Sequence, residues 1–180
     1  MKKSGSVNDC LISIDGTDCR IPQQGLAVKG NPLSSHKFAG KCALRYELGV
    51  DIINGNLLWL EVPFPAGKFT DIPIFWHTRI HHLNPLARVV ADDGYVWEAS
   101  WKVKCPWTRI DSPDNRAMQS NVRSRHETLN GRFKFWEILK QPFRHDIITQ
   151  HGIVFWAIAV IIQVAIDEGA KLFSVEYNDV

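Results

Sequence analysis

The four cysteines of this chain, Cys10, Cys19, Cys42 and Cys105, form no CxxC pair. That absence argues against a zinc site, and nothing after Met1 has the charged, apolar and small-residue order of a secretory signal. Free thiols in a reducing compartment are the expectation. Long apolar runs are scarce as well. The longest, Ile153 to Ile166, contains Gln163 and falls short of the ~18 residues of a membrane span. It reads as a buried core helix, with no membrane partner. Charge of one sign is also lacking: the net charge is only +2, so the chain as a whole does not advertise a polyanion partner.

What is present is ordinary globular composition, 180 residues of which 45% are hydrophobic and 22% charged. That is enough for one domain with a real core, expected over residues 8–177. The charge is unevenly placed. Between Arg116 and His145 stand seven Lys/Arg against two acids, Glu127 and Glu137. Such a local excess favours nucleic-acid phosphates, and it equally describes a solvated basic helix face.

Residues 10–15 are aliphatic and β-branched and read as a strand. Residues 42–53 and 57–62 read as two more, joined by Asn54-Gly55-Asn56, whose residues tolerate the positive φ of a hairpin. A helix is expected from Asp71 to about Leu83, with Thr70 as N-cap and Pro73 in the first turn. Residues 88–91 read as a short strand, and 96–115 as a packed loop or insertion carrying Trp97, Trp101 and Trp107. A long helix follows over about 116–140. Taking about 100° per residue, Met118, Val122, Leu129, Phe133 and Trp136 share one stripe. Glu127 falls on the opposite side, with Arg123, Asn130, Gly131 and Lys134. The order predicts an α/β fold, a ribonuclease H-like mixed sheet flanked by helices.

Three acids occupy positions suited to metal-dependent phosphodiester chemistry. Asp15 follows the apolar run 11–14 and precedes Gly16-Thr17; Asp92 closes 89–91; Glu127 lies on the long helix. Two carboxylates at strand ends and one on a helix can converge on divalent cations, and magnesium favours a few carboxylates while keeping positions for water and phosphate. Asp71 and Asp93 are competing candidates for the second acid. Asp9, Asp18, Glu47, Asp51 and Glu61 are expected on solvated edges or turns. His81-His82 reads as a helix-end pair, and His126 as structural or solvent-facing. Trp59, Trp136 and Trp156 are expected in the core, whereas Trp97, Trp101, Trp107 and the alternation Lys102-Val103-Lys104 are candidates for a DNA-facing surface.

With these residues in view, the chain resembles the catalytic domain of Harbinger-type DDE transposases, the DDE superfamily endonucleases. Ile14-Asp15-Gly16-Thr17-Asp18 is similar to that family's Ile-Asp-Gly-Thr-His motif, and 65–71 to its Pro-Gly-Ser-x-His-Asp segment. Ala91-Asp92-Asp93-Gly94-Tyr95 is similar to Gly-Asp-x-Gly-Tyr. Residues 123–134 resemble its Arg-x-x-x-Glu…Phe-Gly-x-Leu-Lys helix, and Phe143-Arg144 follow at a familiar distance. The sequence departs from the pattern at Asp18, where the family has His, and at Lys68-Phe69-Thr70, where it has Ser-x-His.

The resemblance implies that Asp15, Asp92 and Glu127 are both the catalytic and the metal-binding triad, holding two Mg²⁺ or Mn²⁺ ions. It implies cleavage of DNA phosphodiesters and strand transfer, with Arg123, Arg125, Arg132 and Lys134 contacting DNA. It further implies a nuclear location and leaves a homo-oligomer open. The family places a helical DNA-binding region ahead of the first Asp, which the residues before Asp15 do not resemble. The expectation is therefore an isolated core, a truncated copy or a domesticated remnant, with a separate DNA-binding partner protein. Two alternatives are a catalytically inactive nucleic-acid-binding derivative and a nuclease acting on RNA or hybrids.

Overall fold

The computed structural model describes residues 10–23, 30–61, 63–78, 83, 87–95, 102–105, 113–144 and 148–174. Six strands form one mixed sheet: β1 (Cys10–Arg20), β2 (Ala43–Asp51), β3 (Leu57–Leu60), β4 (Phe64–Pro65), β5 (Arg88–Val90) and β6 (Val103–Lys104). Their order is β3-β2-β1-β5-β6, with the short β4 pairing β2. β1, β2 and β3 run antiparallel, whereas β5 and β6 run parallel to β1. Helices α1 (Asp71–Thr78), α2 (Pro113–Phe135), α3 (Glu137–Lys140) and α4 (Ile148–Asp167) and two short 3₁₀ segments, His36–Phe38 and Asp93–Tyr95, complete the described elements. The α/β class and the mixed sheet flanked by helices agree with the sequence reading. The Asn54-Gly55-Asn56 connection agrees too, Gly55 having φ +80°.

The period-2 geometry of strands sorts each one into two faces. On β2, Leu44, Tyr46, Leu48 and Val50 point into a core shared with Leu129 and Phe133 of α2 and Phe155, Ile158 and Ile162 of α4. Here the Phe155 ring stacks between Tyr46, 3.8 Å away centre to centre, and Phe133, at 4.4 Å. On the opposite face Ile14, Val89 and Val103 pack with Phe75 of α1 and with Tyr95. Burying these apolar side chains contributes roughly 1.5–3 kcal/mol each before ordering costs.

The second face also buries charge, which corrects the expectation that Asp18 and Glu47 lie on solvated edges. Asp18 is 2% exposed and Glu47 0%. The Arg45 Nε donates to Asp18 Oδ1 at 2.7 Å and its Nη2 to Oδ2 at 3.1 Å, while Ser35 Oγ donates to the same Oδ2 at 2.5 Å. Glu47 Oε2 accepts the Tyr95 hydroxyl at 2.8 Å. The reason is steric and topological: α1 covers this face, so the polar alternates of β1 and β2 can be buried only with polar partners, which β1, β2 and the segments packed on them supply.

Other expectations shift. The segment expected as a loop contains β6, where Lys102 is buried and its Nζ donates to the Ala87 carbonyl at 3.2 Å. The long helix breaks at Trp136, whose φ −77° and ψ 115° are extended, before α3. Trp136 and Trp156 are not core residues; they are 37% and 51% exposed. α4 is not fully buried either. Its 20 residues have a mean hydropathy of 1.7, and by length and composition alone they could cross a membrane. The line His151, Phe155, Ile158, Ile162 and Ile166 is buried on the sheet, while Ile153, Val160, Ile161 and Val164 remain exposed. Gln163 fastens this helix to the sheet edge by accepting the Leu57 N–H at 2.8 Å. Cys19 and Cys42 are free thiols, as expected. Residues 81–82 and Trp97, Trp101 and Trp107 lie outside the described residues.

Candidate active site

Pairing between β1 and β5 sets the site. Ser13 is the partner of Val90 in a parallel register, so two residues further along both strands Asp15 and Asp92 emerge side by side. α2 crosses this end of the sheet. Asp15, Asp92 and Glu127 line one open cleft together with Ser13, Arg123 and His126. The structure thus brings together the three acids singled out from the sequence. Asp92 follows β5 and Glu127 lies on a helix, as expected. Asp15 instead stands in the middle of β1, which runs on to Arg20 rather than ending at residue 15.

Each acid is held differently. Asp15 is half-buried, and its Oδ2 accepts the Asn130 Nδ2 at 2.9 Å. Asp92 Oδ1 accepts the Gly94 N–H at 2.8 Å, and the Tyr95 N–H closes the same turn on the Asp92 carbonyl at 3.2 Å. That turn leads the chain straight from β5 into a short 3₁₀ segment and keeps Asp92 at the cleft. Glu127 is exposed on α2, two residues after the buried Arg125.

Asp71 is a fourth carboxylate close by. Its Oδ1 lies 3.3 Å from Arg45 Nη1. A Cβ on Gly16 would come within 2.1 Å of that oxygen, and one on Gly94 within 3.0 Å of both Asp71 Oδ2 and Asp92 Oδ1. Burial raises the Asp71 pKa; Arg45 and Lys37 pull it down, while Asp15 and Asp92 push it further up. Asp71 therefore belongs to the same field as the cleft acids but is anchored to Arg45 on the α1 face. The Asp93 side chain lies outside the described residues.

His126 corrects the solvent-facing alternative. It is 4% exposed, and neither ring nitrogen has a hydrogen-bond partner of good geometry. Burial lowers its pKa, against the opposing pull of Asp15, the Ser13 backbone and Asp92. The imidazole is thus neutral at pH 7 and sits against the cleft acids. Asn130 Oδ1 is likewise buried without a partner. Among the described residues no group of three or more His, Cys, Asp or Glu is placed to hold a metal ion. The donor set nevertheless suits a hard divalent ion: carboxylates from three elements at one cleft, with orphaned polar atoms beside them.

The basic residues divide sharply. Arg123 is exposed, lines the cleft, and lines a neighbouring groove on α2 with Arg116, Ser120 and Ser124. Lys134 is exposed as well. Arg125 is not available to DNA: it is buried, its Nε donating to the Phe173 carbonyl at 2.7 Å and its Nη1 to the carbonyls of Ile52 at 2.5 Å and Asp51 at 3.3 Å. Arg132 Nη2 donates to the Lys171 carbonyl at 2.7 Å. Both arginines fasten the segment after α4 to α2. The sequence contained the signal, since at about 100° per residue both fall beside the Met118–Phe133 stripe rather than beside Glu127.

In comparisons with known proteins, no family model matches this chain and no curated protein matches it.

Proposed function

We propose that this chain is the catalytic core of a metal-dependent DNA endonuclease of DDE-transposase type, with a ribonuclease H-like sheet. One observation carries the reading: Asp15 from β1, Asp92 from the end of β5 and Glu127 from α2 line a single cleft. The connectivity supports it, because the antiparallel β1-β2-β3 with β5 parallel to β1 sets Asp15 of β1 beside the chain that leaves β5 at Asp92. The resemblance of the motifs around these acids to the Harbinger group also supports it.

Asp15, which is half-buried, and Asp92 and Glu127, which line the same cleft, would be the carboxylates that hold the ions. Two Mg²⁺ or Mn²⁺ ions, when bound, supply positive charge to the attacking and leaving oxygens of an in-line phosphoryl displacement. The protein's own residues do the rest. Asn130 fixes the orientation of the Asp15 carboxylate. Arg123 and Arg116 offer charge to the phosphates of the strand entering along α2. Arg45, shared with Asp18, and Lys37 offset part of the Asp71 charge that faces the cleft carboxylates.

The test is nicking of supercoiled plasmid by the purified protein with Mg²⁺ or Mn²⁺. Wild type should nick, and Asp15→Ala, Asp92→Ala and Glu127→Ala should each lose at least 10²-fold in rate. A wild-type protein that binds DNA but never nicks it would instead support a non-catalytic derivative. The Asn130 amide seated on Asp15 Oδ2 is the feature that favours that second reading.

A further inference from the structure

His126 has no part in a carboxylate-only account of the cleft. It sits on the inner line of α2, one turn after the buried Val122, where an aliphatic or aromatic side chain would fill the space at no polar cost. Instead an imidazole is buried there, near the Ser13 backbone, and neither ring nitrogen makes a hydrogen bond of good geometry. An orphaned buried donor or acceptor costs roughly 1–3 kcal/mol. Groups left in that condition call for a partner that the folded chain alone does not supply. His126 also lines the cleft that Asp15, Asp92 and Glu127 share, and it lies within the electrostatic reach of Asp15 and Asp92.

Resting on the metal-dependent reading above, we infer that His126 supplies an imidazole nitrogen to a divalent ion in the Asp15–Asp92–Glu127 cleft and biases the site toward Mn²⁺ or Co²⁺ over Mg²⁺. The chemistry follows from the donor set. Mg²⁺ takes oxygen ligands and keeps its waters, whereas imidazole adds affinity for later first-row ions. A mixed nitrogen and carboxylate set therefore discriminates between ions that an all-carboxylate set treats more nearly alike. Satisfying one ring nitrogen in this way also removes part of the burial penalty that the metal-free cleft carries.

The experiment is electron spin-echo spectroscopy of Mn²⁺ bound to the full chain, with calorimetric titration of Mn²⁺ and Mg²⁺, on wild type, His126→Phe, His126→Gln and Asp15→Ala. Wild type should show nitrogen modulation from a directly bonded imidazole. His126→Phe and His126→Gln should still bind Mn²⁺ through the carboxylates but lose that modulation, and their Mn²⁺-over-Mg²⁺ preference should fall by about tenfold. His126→Phe should melt no lower than wild type without metal. Two variants of different polarity keep the test usable if one of them folds poorly. Mn²⁺ bound to wild type without nitrogen modulation, or modulation that survives in both His126 variants, overturns the inference while leaving the carboxylate site intact. Wild type that binds no Mn²⁺, or binds it as well after Asp15→Ala, overturns the metal-dependent reading itself and this inference with it.

Discussion

Asn130 Nδ2 donates to Asp15 Oδ2 at 2.9 Å, a contact between α2 and the centre of β1. It fixes one carboxylate oxygen from the helix side. Asn130→Asp would set a second carboxylate in the place of the amide. The repulsion, weakened by the half-exposed setting, should cost roughly 1–2 kcal/mol without metal. Saturating Mn²⁺ should recover that loss, because the added charge strengthens cation binding. Thermal unfolding with and without Mn²⁺ checks this; a variant as stable as wild type in both conditions would mean that the two side chains do not meet.

Gly16 is required by the same neighbourhood from the opposite face. Its missing Cβ would stand 2.1 Å from Asp71 Oδ1 and 3.7 Å from Arg45 Cδ. Gly16→Ala should therefore push Asp71 off Arg45 and destabilise by about 1–3 kcal/mol. Adding Asp71→Ala should relieve the clash, so the double variant loses less than the sum of the singles. Urea midpoints of the four proteins give the coupling, and strict additivity would refute the contact.

The two arginines that precede Glu127 on α2, Arg123 and Arg125, should fail in different ways. Arg125→Ala strips its partner from the carbonyls of Phe173, Ile52 and Asp51 and should cost about 3 kcal/mol of stability. Arg123→Ala touches an exposed side chain and should leave stability within about 0.5 kcal/mol. It should instead lower DNA affinity and reduce the slope of log affinity against log salt by about 0.9, one phosphate contact. Unfolding curves and salt-dependent DNA titrations separate the two effects. Loss of DNA affinity by folded Arg125→Ala, with none in Arg123→Ala, would reverse the assignment.

Local pattern carried much of this. β1, β2 and their hairpin partner β3 announce themselves through aliphatic runs and a Gly55 turn, and Asp15 within β1 and Asp92 just after β5 stand next to such runs. What pattern alone could not supply is what covers each face. Arg45 and Glu47 alternate with leucines on β2 as a solvated strand face would, and only the packing of α1 turns that face into an interior. His126 fails for a related reason: at about 80° from Met118 on the helix, it lies at the margin between stripe and surface, and the sheet beneath decides which. α4 errs in the opposite direction. It is apolar around its whole circumference, so composition predicts full burial, but one sheet face can cover only one side of a helix. The two-residue β6 is too short for any periodicity to reveal; its place beside β5 comes from tertiary pairing.

His151 gives the chain a pH dependence remote from the cleft. Its ring is fully buried, with Nδ1 2.6 Å from the Tyr46 hydroxyl, the Phe143 ring edge-on at 4.7 Å and the Tyr46 ring stacked at 5.6 Å. Burial lowers its pKa from 6.5 to about 4. Between those values the unfolded chain binds the proton and the folded chain does not, so folding stability rises with pH across that window. Below pH 4 the contribution is gone, and above pH 6.5 it is fully present. The full span is on the order of 3 kcal/mol. His151→Gln keeps an oxygen to accept the Tyr46 proton but cannot titrate. Urea midpoints at pH 7, 5.5 and 4 should therefore fall less steeply in the variant than in wild type. The comparison isolates His151, because the buried His126, whose pKa is also lowered, titrates in both proteins. Equal slopes would mean that the His151 ring is charged inside the fold, and that the Tyr46 hydroxyl accepts from Nδ1 rather than donating to it.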